Sequence, residues 1–455
     1  MNDISARYLA QLVLDRVEGE RAYANLALNE VLNRYVQLDP RERGFCTELV
    51  YGVLRHLYKI DFILGRLLSR PLSSLKLPVK NILRLAFYQL LFLTEIPDRA
   101  VCHMAVELTK QSKFSGLSGL VNGVLRNYLR RKGQIDLPNR EKDPAGYLTI
   151  EYSHPQWLVE RWLEHFGPAK TEQILSADNL PPPLTIRVNP LWGSIAKLKG
   201  ALEAHGIVTE PGRFLPESLC IHNLPSGFET IPEFQEGAFF VQDESSMLVG
   251  HLINPQPRSL VLDLCAAPGG KSTHMAELMG DQGYIVSVDN HPHKIDLIAG
   301  NALRLGLRSI HAVLGNAENF QMDSGQQADC VLVDAPCSGT GVLRRRVDAR
   351  YRRQPREIIE LATVQRRILE NAAVLVRPGG CLVYSTCTLE PEENQRQISG
   401  FLESHPGFEM ADFRSYLPEA IQPFLAEADA RWATVLPSPG AGDGFFMCRL
   451  EKGKE

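Results

Sequence analysis

Cys337 and Cys387 are the residues whose surroundings most clearly specify chemistry. Cys337 closes the string Asp334-Ala335-Pro336-Cys337, and Cys387 closes Ser385-Thr386-Cys387. Each stands just beyond a run with the composition of a buried strand, Cys330 to Val333 and Cys381 to Tyr384. A Gly-rich turn, Asp263-Leu264-Cys265-Ala266-Ala267-Pro268-Gly269-Gly270-Lys271, comes earlier in the same alternating pattern. In a parallel α/β sheet, ligands bind beyond the carboxyl ends of the strands, and all three strings fall at such ends. Two thiols beside a nucleotide-type turn predict an enzyme that joins a cysteine covalently to its substrate.

That chemistry suits an unreactive aromatic carbon. Carbon 5 of a pyrimidine is a poor nucleophile, and a thiolate added at carbon 6 turns it into an enamine-like carbon able to attack a methyl sulfonium. A free thiol is only a few per cent ionised at pH 7, so a local positive field is expected near the nucleophile. Asp334 would hydrogen-bond or protonate the N3/N4 edge of a cytosine and make carbon 6 more electrophilic. Cys46, Cys102, Cys220, Cys330, Cys381 and Cys448 are expected to be buried and inert.

The turn after Val261-Leu262-Asp263 brings backbone close to a ligand through Pro268, Gly269 and Gly270, with a helix starting near Ser272. Asp289 ends the next strand, where a carboxylate accepts the hydroxyls of a ribose. A phosphate-binding P-loop is excluded because Cys265 stands where that pattern needs glycine. A dinucleotide is disfavoured because no Gly-x-Gly-x-x-Gly occurs. S-adenosylmethionine carries adenosine without phosphate and fits the combination.

The elements that must position these residues are legible in outline. Residues 1–132 read as helices, with Tyr8, Leu9, Leu12, Val13 and Val17 as one apolar stripe and similar stripes in Phe45 to Leu68, Val79 to Leu93, Ala100 to Lys110 and Leu117 to Leu129. A polar linker is expected over 133–148, then an amphipathic stretch from Gln156 to Phe166. A small α+β insert follows to about residue 235, with a strand at Leu184 to Asn189 and a helix at Ala196 to His205. From Gly237 the pattern alternates, with strands at Ser259–Leu264, Gly283–Asp289, Ile310–Leu314, Cys330–Asp334 and Gly380–Tyr384. Helices are expected at Ser272–Met279, Pro292–Leu305, Arg356–Val376 and Glu393–Ser404, and a last antiparallel strand at Phe445–Leu450. This predicts a parallel, doubly wound sheet. The expected domains are 1–140, all-α; 150–235, α+β; and 236–455, Rossmann-like with a mostly parallel sheet.

The 455 residues carry a net charge of −4, but residues 1–140 hold 21 Lys+Arg against 13 Asp+Glu, and the remainder 28 against 40. A basic front suits an RNA-facing module. Nine cysteines without a Cys-x-x-Cys pair argue against a disulfide framework and a zinc site, so no metal is expected. Neither a signal peptide nor a membrane span is visible, and a cytoplasmic protein is expected.

The motifs as a set resemble the RNA cytosine-C5 methyltransferases of the NOL1/NOP2/Sun type, over nearly the whole chain. Asp-x-Cys-Ala-Ala-Pro-Gly-Gly-Lys, Asp-Ala-Pro-Cys-Ser-Gly-Thr-Gly, Tyr-Ser-Thr-Cys-Thr and Gln242-Asp243-Glu244-Ser245-Ser246 stand as in that family. The resemblance implies a NusB-like RNA-binding bundle in front, a Rossmann-like methyltransferase behind, and 16S ribosomal RNA as substrate, with no DNA or membrane partner and a monomeric chain. It implies Cys387 as nucleophile and Cys337 as the thiol that aids product release. DNA cytosine methyltransferases use their Pro-Cys thiol as nucleophile, so the residues alone leave the two roles exchangeable. Cys265, Ala266, Ala267, Pro268, Gly269, Gly270, Lys271 and Asp289 would hold S-adenosylmethionine, with Asp334 near both cofactor and base. Asn316 stands where the family carries an acidic residue against adenine; an amide still makes hydrogen bonds to an adenine edge. The alternatives are a related methyltransferase acting on transfer RNA and a non-catalytic NusB-type RNA-binding factor.

Three further features carry expectations. Arg344, Arg345, Arg346, Arg350, Arg352 and Arg353 would clamp RNA phosphates. Arg187 and Asn189, with Tyr152 and Trp157, would line RNA in the middle domain. His291 and His293 read as surface residues.

Overall fold

The computed structural model describes residues 5–224, 227–322, 325–427, 430–440 and 442–454. The chain forms two compact units, Met1–Leu180 with Leu343–Arg352, and Pro181–Val342 with Arg353–Glu455.

The first unit is helical: α1 (Ala6–Gly19), α2 (Ala24–Arg34), α3 (Pro40–Arg55), α4 (Leu57–Leu67), α5 (Leu77–Phe92), α6 (Asp98–Gln111), α7 (Ser118–Arg130), α8 (Pro144–Tyr152) and α9 (Gln156–Asp178). The starts of α1, α3 and α8 follow capping chemistry. Ser5 accepts from the Tyr8 N–H at 3.3 Å, and Asp39 accepts from the Arg41 N–H at 2.8 Å ahead of Pro40. The core is the apolar stripes turned inward, with Leu9, Val13, Leu49, Val53, Ile60, Ile82, Phe87, Val121 and Leu125 buried together.

Three expectations are corrected here. The stripe from Phe45 to Leu68 is broken at His56, whose backbone leaves helical geometry and whose ring stacks on Phe92 at 3.9 Å between centroids. The linker over 133–148 is shorter than read, because α8 starts at Pro144, capped by Asp143. Helix α9 also runs past Phe166, kinked where Gly167 takes a positive φ ahead of Pro168.

The second unit opens with β1 (Leu184–Val188), α10 (Ile195–Ala204), β2 (Thr209–Pro211), β3 (Ser218–Ile221), α11 (Pro232–Gln235) and β4 (Phe239–Val241). The four strands form an antiparallel sheet in the order β2-β3-β1-β4. Leu198 and Leu202 of α10 pack with Ile186, Val188 and Phe239 of the sheet. The chain continues through α12 (Glu244–Ile253), β5 (Leu260–Asp263), α13 (Gly270–Leu278), β6 (Tyr284–Asp289), α14 (Pro292–Arg304), β7 (Ile310–Leu314) and β8 (Ala328–Asp334). After α15 (Ala349–Arg352) in the first unit come α16 (Pro355–Leu375), β9 (Val376–Thr386), α17 (Gln395–Ser404), β10 (Phe408–Met410), β11 (Ala433–Val435) and β12 (Phe445–Lys452).

The large sheet has the order β10-β12-β9-β8-β5-β6-β7, with β11 paired to β12. Strands β5 to β9 are parallel and β12 runs antiparallel to β9, as expected. The central strands are buried on both faces (Leu262, Val331, Leu332, Val333, Leu382 and Val383 have no exposed surface), which requires a continuous apolar run. Succession reverses between β5 and β8: β5, β6 and β7 step one way, β8 and β9 the other. Such a switch point opens a crevice at the carboxyl ends. Helix α12 and strands β10 and β11 were not legible beforehand. No helix among the described residues is long and apolar enough to cross a membrane.

Candidate active site

The carboxyl ends of β5, β6, β7, β8 and β9 carry the Gly-rich turn, Asp289, Asn316, the Asp334 string and the Cys387 string, respectively. Asp334 pairs in register with Ser385 on the adjacent parallel strand. The two cysteine strings therefore leave neighbouring strands side by side, and Cys337 Sγ lies 3.4 Å from Cys387 Sγ. Both thiols are partly exposed and unlinked. The Cys337 thiol is held well above the ordinary thiol range, first by its hydrogen bond with Cys387 and then by burial. Glycine permits the close crossing of these loops. The Gly341 N–H donates to Cys387 O at 3.0 Å, and a Cβ on Gly341 would stand 2.3 Å from Gly444 O.

Asp334 is fixed at both oxygens. Lys271 Nζ lies 2.7 Å from Oδ2, and Ser385 Oγ donates to Oδ1 at 2.8 Å. Lys271 also sits 5.1 Å from the Phe445 ring centroid. In the turn, Gly269 has φ of 99° and precedes the first residue of α13, a conformation that favours glycine. Asp289 is buried, receives the Asn290 N–H at 2.8 Å and the Ala267 N–H at 3.3 Å, and pairs with Lys294 at 3.1 Å. Asn316 is exposed, with Oδ1 accepting the Glu318 N–H at 3.0 Å. Burial pushes the Cys265 thiol well up and the Asp263 carboxyl to about 7.

The residues fit an adenosine-bearing ligand without phosphate. The lysine of the turn, which a phosphate would claim, is already committed to Asp334, while the Asp289 carboxylate stands at the second strand end.

Comparison with known sequences and structures finds relatives along the whole chain. Residues 4–130 match the NusB family, residues 154–225 the ferredoxin-like domain of RsmF/B-like methyltransferases, and residues 250–451 the 16S rRNA methyltransferase RsmB/F. The chain is 40% identical over 457 residues to "Probable ribosomal RNA small subunit methyltransferase B" of Bacillus subtilis (strain 168), covering 99% of this chain and 100% of that one. It is 34% identical over 416 residues to ribosomal RNA small subunit methyltransferase B of Sodalis glossinidius (strain morsitans), covering 91% of each. The crystal structure of PH0851 aligns with a TM-score of 0.81 at 27% identity, over 99% of both chains.

The chain belongs to the RsmB/F family of 16S rRNA methyltransferases. It has a NusB domain, a ferredoxin-like domain and a Rossmann-like methyltransferase domain.

Several expected RNA contacts are corrected. Arg350 is fully buried, and its guanidinium donates to Asn179 Oδ1 at 2.8 Å, Asp178 O at 3.0 Å and Arg55 O at 3.2 Å. Arg344 is buried, and Arg352 donates to Arg21 O and Ala22 O. Val347 lies in the helical core, so this segment anchors to the first unit instead of presenting a row of phosphate-binding cations. Arg353 stands 3.9 Å from Glu357, and Arg346 is exposed.

Arg187 is likewise buried, bidentate to Glu277 at 2.7 and 2.8 Å. Asn189 donates to Gly237 O and Leu305 O. These two residues join the ferredoxin-like sheet to the methyltransferase core instead of lining RNA. Tyr152 and Trp157 are partly exposed, and His291 and His293 are on the surface. Of the six cysteines expected to be buried, Cys102 and Cys220 are partly exposed.

One string was singled out by resemblance without a role. In the Gln242 to Ser246 string, Glu244 accepts the N–H groups of Arg213, Phe214 and Leu215, and Asp243 caps α12 while accepting the Asp443 N–H. The string binds the ferredoxin-like sheet and the C-terminal loop to the core. Its signal was the N-cap pattern of Asp243 followed by serines.

Glu217, His251 and His274 have ligand-type atoms within 4.8 Å of one another, a set that could hold a cation. His251 Nε2 already meets Glu217 Oε1 at 2.5 Å, which closes the trio on itself.

Proposed function

We propose that this protein transfers a methyl group from S-adenosylmethionine to carbon 5 of a cytosine in 16S ribosomal RNA, through a covalent bond between Cys387 and carbon 6. The observation that carries this reading is the pair of thiols 3.4 Å apart at the ends of adjacent parallel strands, beside a doubly held aspartate. The Gly-rich turn and Asp289 would hold the cofactor, which when bound supplies an electrophilic methyl on its sulfonium.

The residues divide the work. Cys337, kept as a thiol and hydrogen-bonded to Cys387, favours placing negative charge on Cys387, which supports Cys387 as the nucleophile. Its sulfur bonds to carbon 6 of a base turned out of its stack, and the ring electrons move to carbon 5. Asp334, oriented by Lys271 and Ser385, accepts from the exocyclic amino group of cytosine and selects that base over uracil. Once carbon 5 carries the methyl, Cys337 yields its own proton to solvent and as a thiolate takes the carbon 5 proton, while the sulfur–carbon 6 bond breaks and Cys387 leaves as a thiolate.

Cys387→Ala should abolish methyl transfer while cofactor binding persists in a calorimetric titration. Cys337→Ala should accumulate protein linked to RNA, visible as a shifted band on a denaturing gel. Bisulfite sequencing of ribosomal and transfer RNA, with and without the gene, should lose one protected cytosine in 16S RNA. Loss confined to transfer RNA would overturn the substrate assignment, and no loss anywhere would favour a non-catalytic RNA-binding role.

A further inference from the structure

Glu393, on the loop between β9 and α17, is fully buried. Its Oε1 accepts the Ser338 N–H at 2.8 Å and Gln365 Nε2 at 3.0 Å. Its Oε2 meets the Ser338 hydroxyl and, at 3.0 Å, the Thr388 hydroxyl. Ser338 directly follows Cys337, and Thr388 directly follows Cys387. One carboxyl group thus grips the residue after each thiol. Gln365, from α16, also donates to Pro336 O at 2.9 Å, and the Tyr384 hydroxyl donates to Glu393 O at 2.6 Å.

A proton count indicates the state of this carboxyl. Five oxygen–oxygen contacts link the hydroxyls of Ser338, Thr388 and Thr340 with Glu393 and Glu390. Three hydroxyls bring three protons. With both acids ionised, two contacts would set lone pairs against each other in a buried site, which is costly. A proton on either acid removes one such clash. Burial favours its resting on Glu393, whose pKa it raises.

We propose that Glu393 is the positioning residue of the two-thiol centre: as a neutral acid it ties the Cys337 loop to the Cys387 loop and sets their sulfurs 3.4 Å apart. The proposal rests on the reading that both thiols serve one base. Displacement of a reacting group by about 1 Å can cost about 10²-fold in rate, so a clamp outside the reacting atoms has leverage.

The test uses the full chain, an unmodified 16S RNA transcript and S-adenosylmethionine, with variants Glu393→Gln, Glu393→Asp and Glu393→Ala. Phenylarsine oxide, which bridges two close thiols, reports their spacing without turnover, and Cys337→Ala identifies the signal from this pair. Glutamine keeps the shape and the proton-donating edge of a neutral acid, so Glu393→Gln should retain kcat within about threefold and capture the arsenical normally. Glu393→Ala should lose about 10²-fold in kcat with KM for RNA and cofactor changed less than about threefold, and capture should slow about tenfold. Glu393→Asp, which retracts the carboxyl by one methylene, should fall between them and keeps the test open if the alanine variant does not fold. Wild-type kcat and capture in the folded alanine variant, or in the aspartate variant if alanine unfolds, would overturn the proposal, as would a glutamine variant as impaired as alanine. If the wild type forms no 5-methylcytosine, the functional reading fails instead, and the capture rates still decide whether Glu393 spaces the thiols.

Discussion

Asp334 shows how one residue is given a single task. A carboxylate at a strand end could hold a ribose, a metal or a base, but Lys271 and Ser385 take one oxygen each and leave its remaining lone pairs to the crevice. Lys271→Met should therefore lower kcat by about 10²-fold, the scale of a lost acid–base partner, with a smaller change in cofactor affinity. Single-turnover methylation with a parallel cofactor titration would separate the two. Asp263 carries a different prediction. Burial raises its folded pKa to about 7, above the ordinary carboxylate value. Its contribution to stability is therefore present in acid and lost as pH rises towards 7. The melting-temperature difference between Asp263→Asn and wild type should grow in favour of the variant from about pH 4 to about pH 7, as thermal scans of the ligand-free protein can show.

At the scale of elements, α13 is held from two sides. Its start depends on Gly269 at φ of 99°, and Glu277 on the same helix takes the buried guanidinium of Arg187 from β1. Gly269→Ala should lose about 1–3 kcal/mol of stability because a Cβ is strained in that conformation, and should weaken cofactor binding. Arg187→Ala leaves Glu277 as an unpaired buried acid and should cost about 3–5 kcal/mol in urea unfolding, whereas a double replacement by methionine should cost less. The same elements mark the limits of sequence reading. β6 and the β12 tail were found because apolar runs bounded by turns encode burial directly. Arg187 was misassigned because a lone arginine in a strand reads as a surface cation until its acid, 90 residues away, is seen beside it.

At the scale of the whole molecule, positive charge and buried arginine have to be separated. Arg350 and Arg352 spend their donors on carbonyls of the first unit, so they add to the composition but not to a phosphate-binding face. Arg126 and Arg130 on α7 are exposed. Replacing both with alanine should raise KM for RNA and reduce the salt dependence of binding by about 0.7–0.9 in log–log slope for each phosphate no longer neutralised, with kcat little changed. Filter binding across a salt series would measure this.

The sequence by itself determined the helical front, the alternating core, the Gly-rich turn and the two cysteine strings, since each is written in local periodicity or contiguous motifs. Only the tertiary structure decided that Cys337 and Cys387 touch, that Lys271 belongs to Asp334, that Arg187 and Arg350 are internal, and that Glu393 grips both loops. Most of those contacts join residues 50 to 295 positions apart, and such pairings follow from strand order and burial, which no local pattern records.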